Sequence, residues 1–204
     1  MIASVDYGVG NLFSLKSSFD YIGEPCIVTG EAREIRRCER ILLPGVGAFA
    51  DAAQKLRDQH LDAVIIGETK KGKPLLGVCL GMQLLLARSL EYGEHKGLCL
   101  IDGSILPVRP VIPKDYKVPH IGWNALHFAN GNKHPLFQFI EEGDFVYFVH
   151  SYYAAECAGA VIATAEYGAE LTAAVAKDNV MGVQFHPEKS GEVGLRILKA
   201  FCAL

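Results

Sequence analysis

Short apolar runs recur along the first eighty positions, and most of them lead into a stretch where apolar residues return every three or four positions. Ile2 to Val5 precedes Leu12 to Ile22, Arg40 to Leu43 precedes Phe49 to Leu56, and Pro74 to Val78 precedes Met82 to Leu90, with a further run at Pro25 to Val28. Continuous apolar runs of this length mark strands buried on both faces, and the 3.6-residue recurrence marks helices packed on one side. Their alternation predicts an α/β protein with an open, mostly parallel sheet and helices on both faces. After Leu98 the rhythm changes. Strand-like pieces separated by turns run over Ser104 to Val108, Asn124 to Phe128, Phe145 to Val149, Ala160 to Glu166 and Thr172 to Ala176, before a closing helix from Val193 to Phe201. That half is expected to extend the sheet in antiparallel fashion. The stretches Glu31 to Glu39 and Gly131 to Gly143 carry no readable motif, and no repeat, low-complexity tract or linker divides the chain, so 1–204 reads as one domain.

Composition narrows the chemistry. With 204 residues, half of them apolar, and 21 glycines, the chain can bury a sizeable core. A net charge of −3 leaves no basic footprint, so nucleic acid is not an expected partner. There is no run of 18 apolar residues, and the N-terminus reads as a strand interrupted at Asp6 rather than a leader, so no membrane contact and a cytoplasmic location are expected. The cysteines at 26, 38, 79, 99, 157 and 202 form no CxxC pair and no histidine lies at metal spacing, which suggests neither a metal site nor a disulfide framework, and no cofactor. Five of them read as packing residues, Cys202 being the one expected to be partly exposed.

Cys79 is set apart by its neighbours. The run Pro74-Leu75-Leu76 leads into Gly77-Val78-Cys79-Leu80-Gly81, and a helix-forming run from Met82 to Arg88 leads out. Glycines two residues either side allow a sharp strand-to-helix turn and close packing, so the side chain at the apex stands at a helix N-terminus as a nucleophile elbow. The helix dipole and free N–H groups there favour thiolate over thiol. A cysteine is ordinarily a small buried apolar residue; the paired glycines favour the nucleophile.

A thiolate that cleaves acyl compounds needs a base and a group to orient it. Gln184-Phe185-His186-Pro187-Glu188 follows directly on the apolar strand Val180 to Val183. His186 can face Cys79 through one ring nitrogen while Glu188 accepts a hydrogen bond from the other, fixing the tautomer and raising basicity. The segment would also serve as a surface loop capping the last helix, with Glu188 a first-turn acid. Cys79 upstream tips the balance towards catalysis.

A cysteine elbow followed far downstream by His-Pro-Glu resembles the triad class, class I, of glutamine amidotransferases. Four further segments resemble, within that class, the glutaminase subunits of imidazole glycerol phosphate synthase: Asp6-Tyr7-Gly8-Val9-Gly10-Asn11, Leu43-Pro44-Gly45-Val46-Gly47-Ala48-Phe49, His120-Ile121-Gly122-Trp123-Asn124 and His150-Ser151-Tyr152. The resemblance runs from Ile2 to the last helix. It implies a flavodoxin-like fold and a catalytic triad of Cys79, His186 and Glu188. Attack on a carboxamide builds charge on oxygen, and N–H donors at Leu80 and beside Val46 would each stabilise it by about 3 kcal/mol. Resemblance further implies that Val46 and Gly47 reorient when a partner is engaged. It places Gln83, Glu91, Ser151 and Tyr152 around glutamine, an acid such as Glu91 suiting its ammonium, although Glu91 also fits a solvated helix end and Tyr152 a core position. The implied partner is a separate (β/α)8 cyclase subunit that consumes the ammonia in histidine biosynthesis. Asn11, Trp123 and Asn124 would face it, turn and core being their ordinary alternatives.

Other readings stay open. Gly8-Val9-Gly10 after a strand imitates a dinucleotide fingerprint, but Phe13 stands where the third glycine belongs and no good acidic partner follows about 20 residues on. The same chemistry can serve another synthase, such as one making pyridoxal phosphate; a cysteine-elbow hydrolase can act alone; a degenerate subunit can merely scaffold its partner. Asp6 to Asn11 and His120 to Asn124 argue against the first, Glu188 against the second, and the complete triad against the third.

Overall fold

The computed structural model describes residues 1–204, apart from the side chain of Asn130. Ile2–Val5 (β1), Cys26–Thr29 (β2), Arg40–Leu43 (β3) and Leu75–Val78 (β4) lie parallel, and the fifth parallel strand, Val180–Val183 (β14), arrives from far along the chain. Their order, β2-β1-β3-β4-β14, is that of a flavodoxin-like sheet. Glu170–Lys177 (β13), Val161–Glu166 (β12) and His127–Phe128 (β9) continue it antiparallel. Leu86–Ser89 (β5), His95–Lys96 (β6), Ile101–Pro107 (β7) and Tyr152–Ala155 (β11) form a second sheet, and His120–Ala125 (β8) pairs with Phe145–His150 (β10) as a two-stranded ribbon. Leu12–Tyr21 (α1), Ala32–Arg37 (α2), Phe49–Asp58 (α3), Leu61–Lys70 (α4), Leu80–Leu85 (α5) and Gly191–Ala203 (α6) are the helices.

Period-two alternation divides the core. Ala3, Val5, Ile41 and Leu43 face α3 and α4 with Phe49, Leu56, Leu61 and Ile65, while Ile2 and Leu42 face α1 and α6 with Leu15, Phe19, Ile197 and Phe201. Every residue of β4 and β14 is buried, as expected of central parallel strands.

Three elements depart from the sequence expectation. The helix expected from Met82 to Leu90 ends at Leu85, where Leu86 turns extended (ψ 170) and starts β5. There the backbone pairs with β7, Leu86 opposite Ile101, and both Leu86 and Ser89 are buried. No helix was read over Leu61 to Lys70. Its β-branched run Val64-Ile65-Ile66 and Gly67 weaken helix propensity by roughly 2–3 kcal/mol in all. Burying Leu61, Val64 and Ile65, at about 2 kcal/mol each, outweighs that. The piece expected over Asn124 to Phe128 breaks at Leu126, which leaves the ladder to be buried, its N–H donating to the Asp144 carbonyl (3.0 Å). The stretch Glu31 to Glu39 holds α2, with Ile35 buried. Of the cysteines outside the elbow, Cys99 is the exposed one and Cys202 half-buried, because Cys99 follows the edge strand β6 in a left-handed turn (φ 53).

No helix is long and apolar enough to cross a membrane, and no group of three metal-capable side chains occurs among the described residues.

Candidate active site

The parallel strands end level, and that sets the site. Gly182 and Val183 of β14 stand opposite Gly77 and Val78 of β4, and the Cys79 N–H donates to the Val183 carbonyl (2.8 Å). Residues just past the carboxyl ends of β4 and β14 therefore meet, where open α/β sheets place their ligands. The loops after β1 and β3 open on the same edge, bringing Asn11, Val46 and Gly47.

Cys79 sits at the apex with φ 55 and ψ −112, a sparsely populated conformation for a residue with a side chain. Both flanking glycines are required by close approach. A Cβ on Gly77 would lie 2.7 Å from the backbone of Gly81, and one on Gly81 would overlap the Leu43 carbonyl. The turn is thus wedged against the end of β3, and α5 begins immediately, leaving the N–H groups of its first turn without helical partners.

His186 and Glu188 are both buried, and His186 Nδ1 lies 2.8 Å from Glu188 Oε1. Burial opposes charge on this imidazole, but hydrogen bonds to Cys79 and Glu188 outweigh it and raise its pKa to about 10. The pair therefore favours the imidazolium, which has a proton to give to a leaving group. Asn11 Nδ2 donates to the same Glu188 oxygen (3.3 Å), so the structure ties Asn11 to the His186–Glu188 pair.

Cys79 and His186 line one cavity of about 640 Å³ together with Val46, Gly47, Leu80, Gln83, Glu91, Ser151 and Tyr152, while Glu188 stands outside its lining, reached through His186 Nδ1. Every residue assigned to oxyanion stabilisation or glutamine contact is thus brought to the cavity that Cys79 and His186 line, with Glu188 one hydrogen bond away behind His186. Tyr7 anchors the segment after β3, its buried hydroxyl donating to the Pro44 carbonyl (2.8 Å), while Gly47 takes φ 98. Two placements differ from expectation. Glu91 follows a strand, not a helix end, and its carboxylate accepts the Phe49 N–H (2.6 Å), capping α3 while it lines the cavity. Gln83 is buried, its Nε2 donating to Gln184 Oε1 (3.0 Å) and the Tyr152 carbonyl (3.3 Å), so it holds the 151–152 loop.

Trp123 and Asn124 lie on β8, away from the cavity lining. Trp123 is half exposed, edge-on to Tyr147 of β10 with ring centroids 5.9 Å apart, and is not core. Asn124 is engaged from both ends of its amide, by His120 and the Glu166 carbonyl.

Sequence reasoning missed Gln184. It is fully buried and its Nε2 donates to Cys79 Sγ (3.7 Å), linking the nucleophile to Gln83. A polar residue at the end of an all-apolar strand, next to His186, was the available signal. Also missed was Lys189, which lines the cavity and stands 5.9 Å over the Tyr147 ring.

The family model for glutamine amidotransferase class-I matches residues 5–203. The chain is 48% identical over 202 residues to the imidazole glycerol phosphate synthase subunit HisH of Oceanobacillus iheyensis, covering 98% of each. It is 46% identical to the same-named subunit of Caldanaerobacter subterraneus, covering 98% of this chain and 97% of that one. Among solved structures, PurLQS from Thermotoga maritima superposes with a TM-score of 0.77 at 21% identity (99% of this chain, 97% of that one). A solved glutamine amidotransferase structure superposes with a TM-score of 0.76 at 15% identity (100% of this chain, 98% of that one). At those identities the likeness is one of fold.

Proposed function

The chain belongs to the class-I glutamine amidotransferases, and from that premise we propose that it hydrolyses glutamine to glutamate and ammonia as the glutaminase subunit of imidazole glycerol phosphate synthase. The observation that carries the reading is the level ending of β4 and β14, which sets Cys79 beside the His186–Glu188 pair, with Cys79 and His186 lining one cavity. The near-half identity to HisH subunits over the whole chain supports the choice of synthase.

Cys79 Sγ, its proton passed to His186, attacks the carboxamide carbon of glutamine. Charge on the carbonyl oxygen is met by the Leu80 N–H and by donors in the Val46–Gly47 segment. The imidazolium then protonates the departing nitrogen, and ammonia leaves behind a γ-glutamyl thioester on Cys79. Neutral His186 next takes a proton from water as it attacks the thioester; glutamate departs and the sulfur regains its starting state. Glu188 holds the imidazole through Nδ1 in both halves. Glu91 suits the substrate ammonium, and the 151–152 loop its carboxylate.

The ammonia passes to a (β/α)8 cyclase subunit. The outward face of the β8–β10 ribbon supplies an apolar docking surface: Ile121, Trp123 and Phe145 are 56%, 51% and 55% exposed. Lys189 adjoins both this face and the cavity, so the released product has a short way to go.

Glutamate release by the purified chain, alone and with a cyclase subunit and its nucleotide ligand, tests the reading, with Cys79→Ser as control. Strong stimulation, lost in Cys79→Ser, is expected. Full activity without the partner would point to an independent hydrolase, and no cleavage under any condition to a scaffold.

A further inference from the structure

Between the docking ribbon and the cavity lies a pair of buried histidines that the reaction above does not use. His150 Nδ1 is 2.8 Å from the Tyr152 carbonyl oxygen, His150 Nε2 is 3.0 Å from His120 Nδ1, and His120 Nε2 is 2.7 Å from Asn124 Oδ1. Both ends of this chain are acceptor oxygens. The Asn124 amide is held in that sense because its Nδ2 donates to the Glu166 carbonyl (2.8 Å), and turning it would set two oxygens together.

Three contacts between acceptor ends need three protons, yet two neutral imidazoles carry only two. We propose that His120, Asn124 and His150 are positioning residues for the glutamine loop, a bistable pair that keeps a proton between its rings and so hydrogen-bonds either the Tyr152 carbonyl or Asn124, since protons at both ends would leave two nitrogen lone pairs facing each other across 3.0 Å. In one arrangement the protons sit on Nδ1 of both rings: Tyr152 is held and Asn124 is not. In the other they sit on Nε2 of both rings: Asn124 is held and the Tyr152 carbonyl keeps only its contact with Gln83.

The surroundings keep the third proton away. His120 is sandwiched by the rings of Tyr167 (centroids 3.9 Å apart) and Phe148 (5.1 Å). Burial lowers its pKa against the pull of Asn124, and burial lowers that of His150 to about 4, with His120 and His186 adding to the fall. The Tyr167 hydroxyl donates to the Lys117 carbonyl, and the Glu166 carboxylate is turned onto the Gly168 N–H. Among the described residues no carboxylate is hydrogen-bonded to either ring.

Asn124 follows Trp123 on the ribbon, while Tyr152 belongs to the loop held by Gln83. Any displacement of Asn124 by a docked protein leaves the loop-facing arrangement alone, so the pair couples the docking face to the glutamine loop without a charge moving between them. The coupling to turnover rests on the glutaminase reading; the proton arrangement does not.

Nitrogen-15 NMR of the imidazoles in the full chain near pH 7 tests it. Wild type is expected to show His150 averaged between tautomers, and Asn124→Ala to drive its Nδ1 to the protonated form. Asn124→Asp, which offers a charged acceptor, is expected to draw in the third proton and raise the pair's apparent pKa, and it serves if Asn124→Ala does not fold. With the cyclase subunit and its nucleotide bound, Asn124→Ala should lower KM for glutamine by about three- to tenfold, the scale of one hydrogen bond, and change kcat less. A single His150 tautomer in wild type unmoved by Asn124→Ala, two neutral rings retained in Asn124→Asp, or a tautomer shift with unchanged KM would each overturn the proposal. Failure of wild type to hydrolyse glutamine at all would instead fall on the functional reading and leave the tautomer result standing.

Discussion

The cavity is walled by two regions that treat a buried histidine in opposite ways. At the ends of the parallel strands, His186 is raised to about 10, because Cys79 and Glu188 compensate for lost water. On the antiparallel ribbon, His150 is equally buried but meets only a carbonyl and a second histidine, and falls to about 4. Burial alone does not set the charge of an imidazole; the sign follows from whether an anionic partner is built in beside it.

The sharpest way to break the contrast is Glu188→Gln. It removes the compensating charge, so kcat for glutamine should fall by about a hundredfold or more, and NMR titration should show the His186 pKa dropping towards its ordinary value. An unmoved pKa would mean that Glu188 does not set the charge of the base. Next in size, Trp123→Ala on the ribbon should weaken cyclase binding by about thirtyfold, roughly 2 kcal/mol, with the melting temperature of the isolated chain little changed; undiminished affinity would move the docking face elsewhere.

Stability against pH separates the two histidines directly. The raised His186 contributes stability that is full below its unfolded pKa near 6.5 and fades as pH rises through about 10. For the lowered His150 the unfolded chain binds the extra proton, so stability falls as pH drops from about 6.5 towards 4. His150→Gln should flatten the acid limb of a denaturation profile and leave the alkaline limb. The smallest effect belongs to Glu91→Ala, which uncaps α3 and should lower stability by about 1 kcal/mol while raising KM for glutamine. Loss of stability with KM unchanged would confine Glu91 to capping.

Much of the first region was legible. The buried strands announced themselves as apolar runs, and the elbow by glycines whose spacing only close packing explains. What depends on distant partners was less legible. Leu86 to Ser89 looked helical because Leu86 continues the Leu84-Leu85 run of α5, and only β7, brought alongside from fifteen residues on, makes the segment a strand. Gln83, expected from resemblance around glutamine, lines the cavity, and its ties to Gln184 and the Tyr152 carbonyl were not legible. Asn11 was expected at the docking face, and its side-chain hydrogen bond to Glu188, across 177 positions of sequence, was not legible.

By itself, then, the sequence determined the parallel scaffold and singled out Cys79 and His186 as the candidate nucleophile and base, since periodicity and the glycine-flanked turn are local properties of the chain. Tertiary structure alone decided which polar groups meet. The Gln184 contact with Cys79, the Glu91 cap on α3 and the proton-short chain from Asn124 to Tyr152 all depend on strand register and on how far water is excluded. Neither is encoded within any short window of residues.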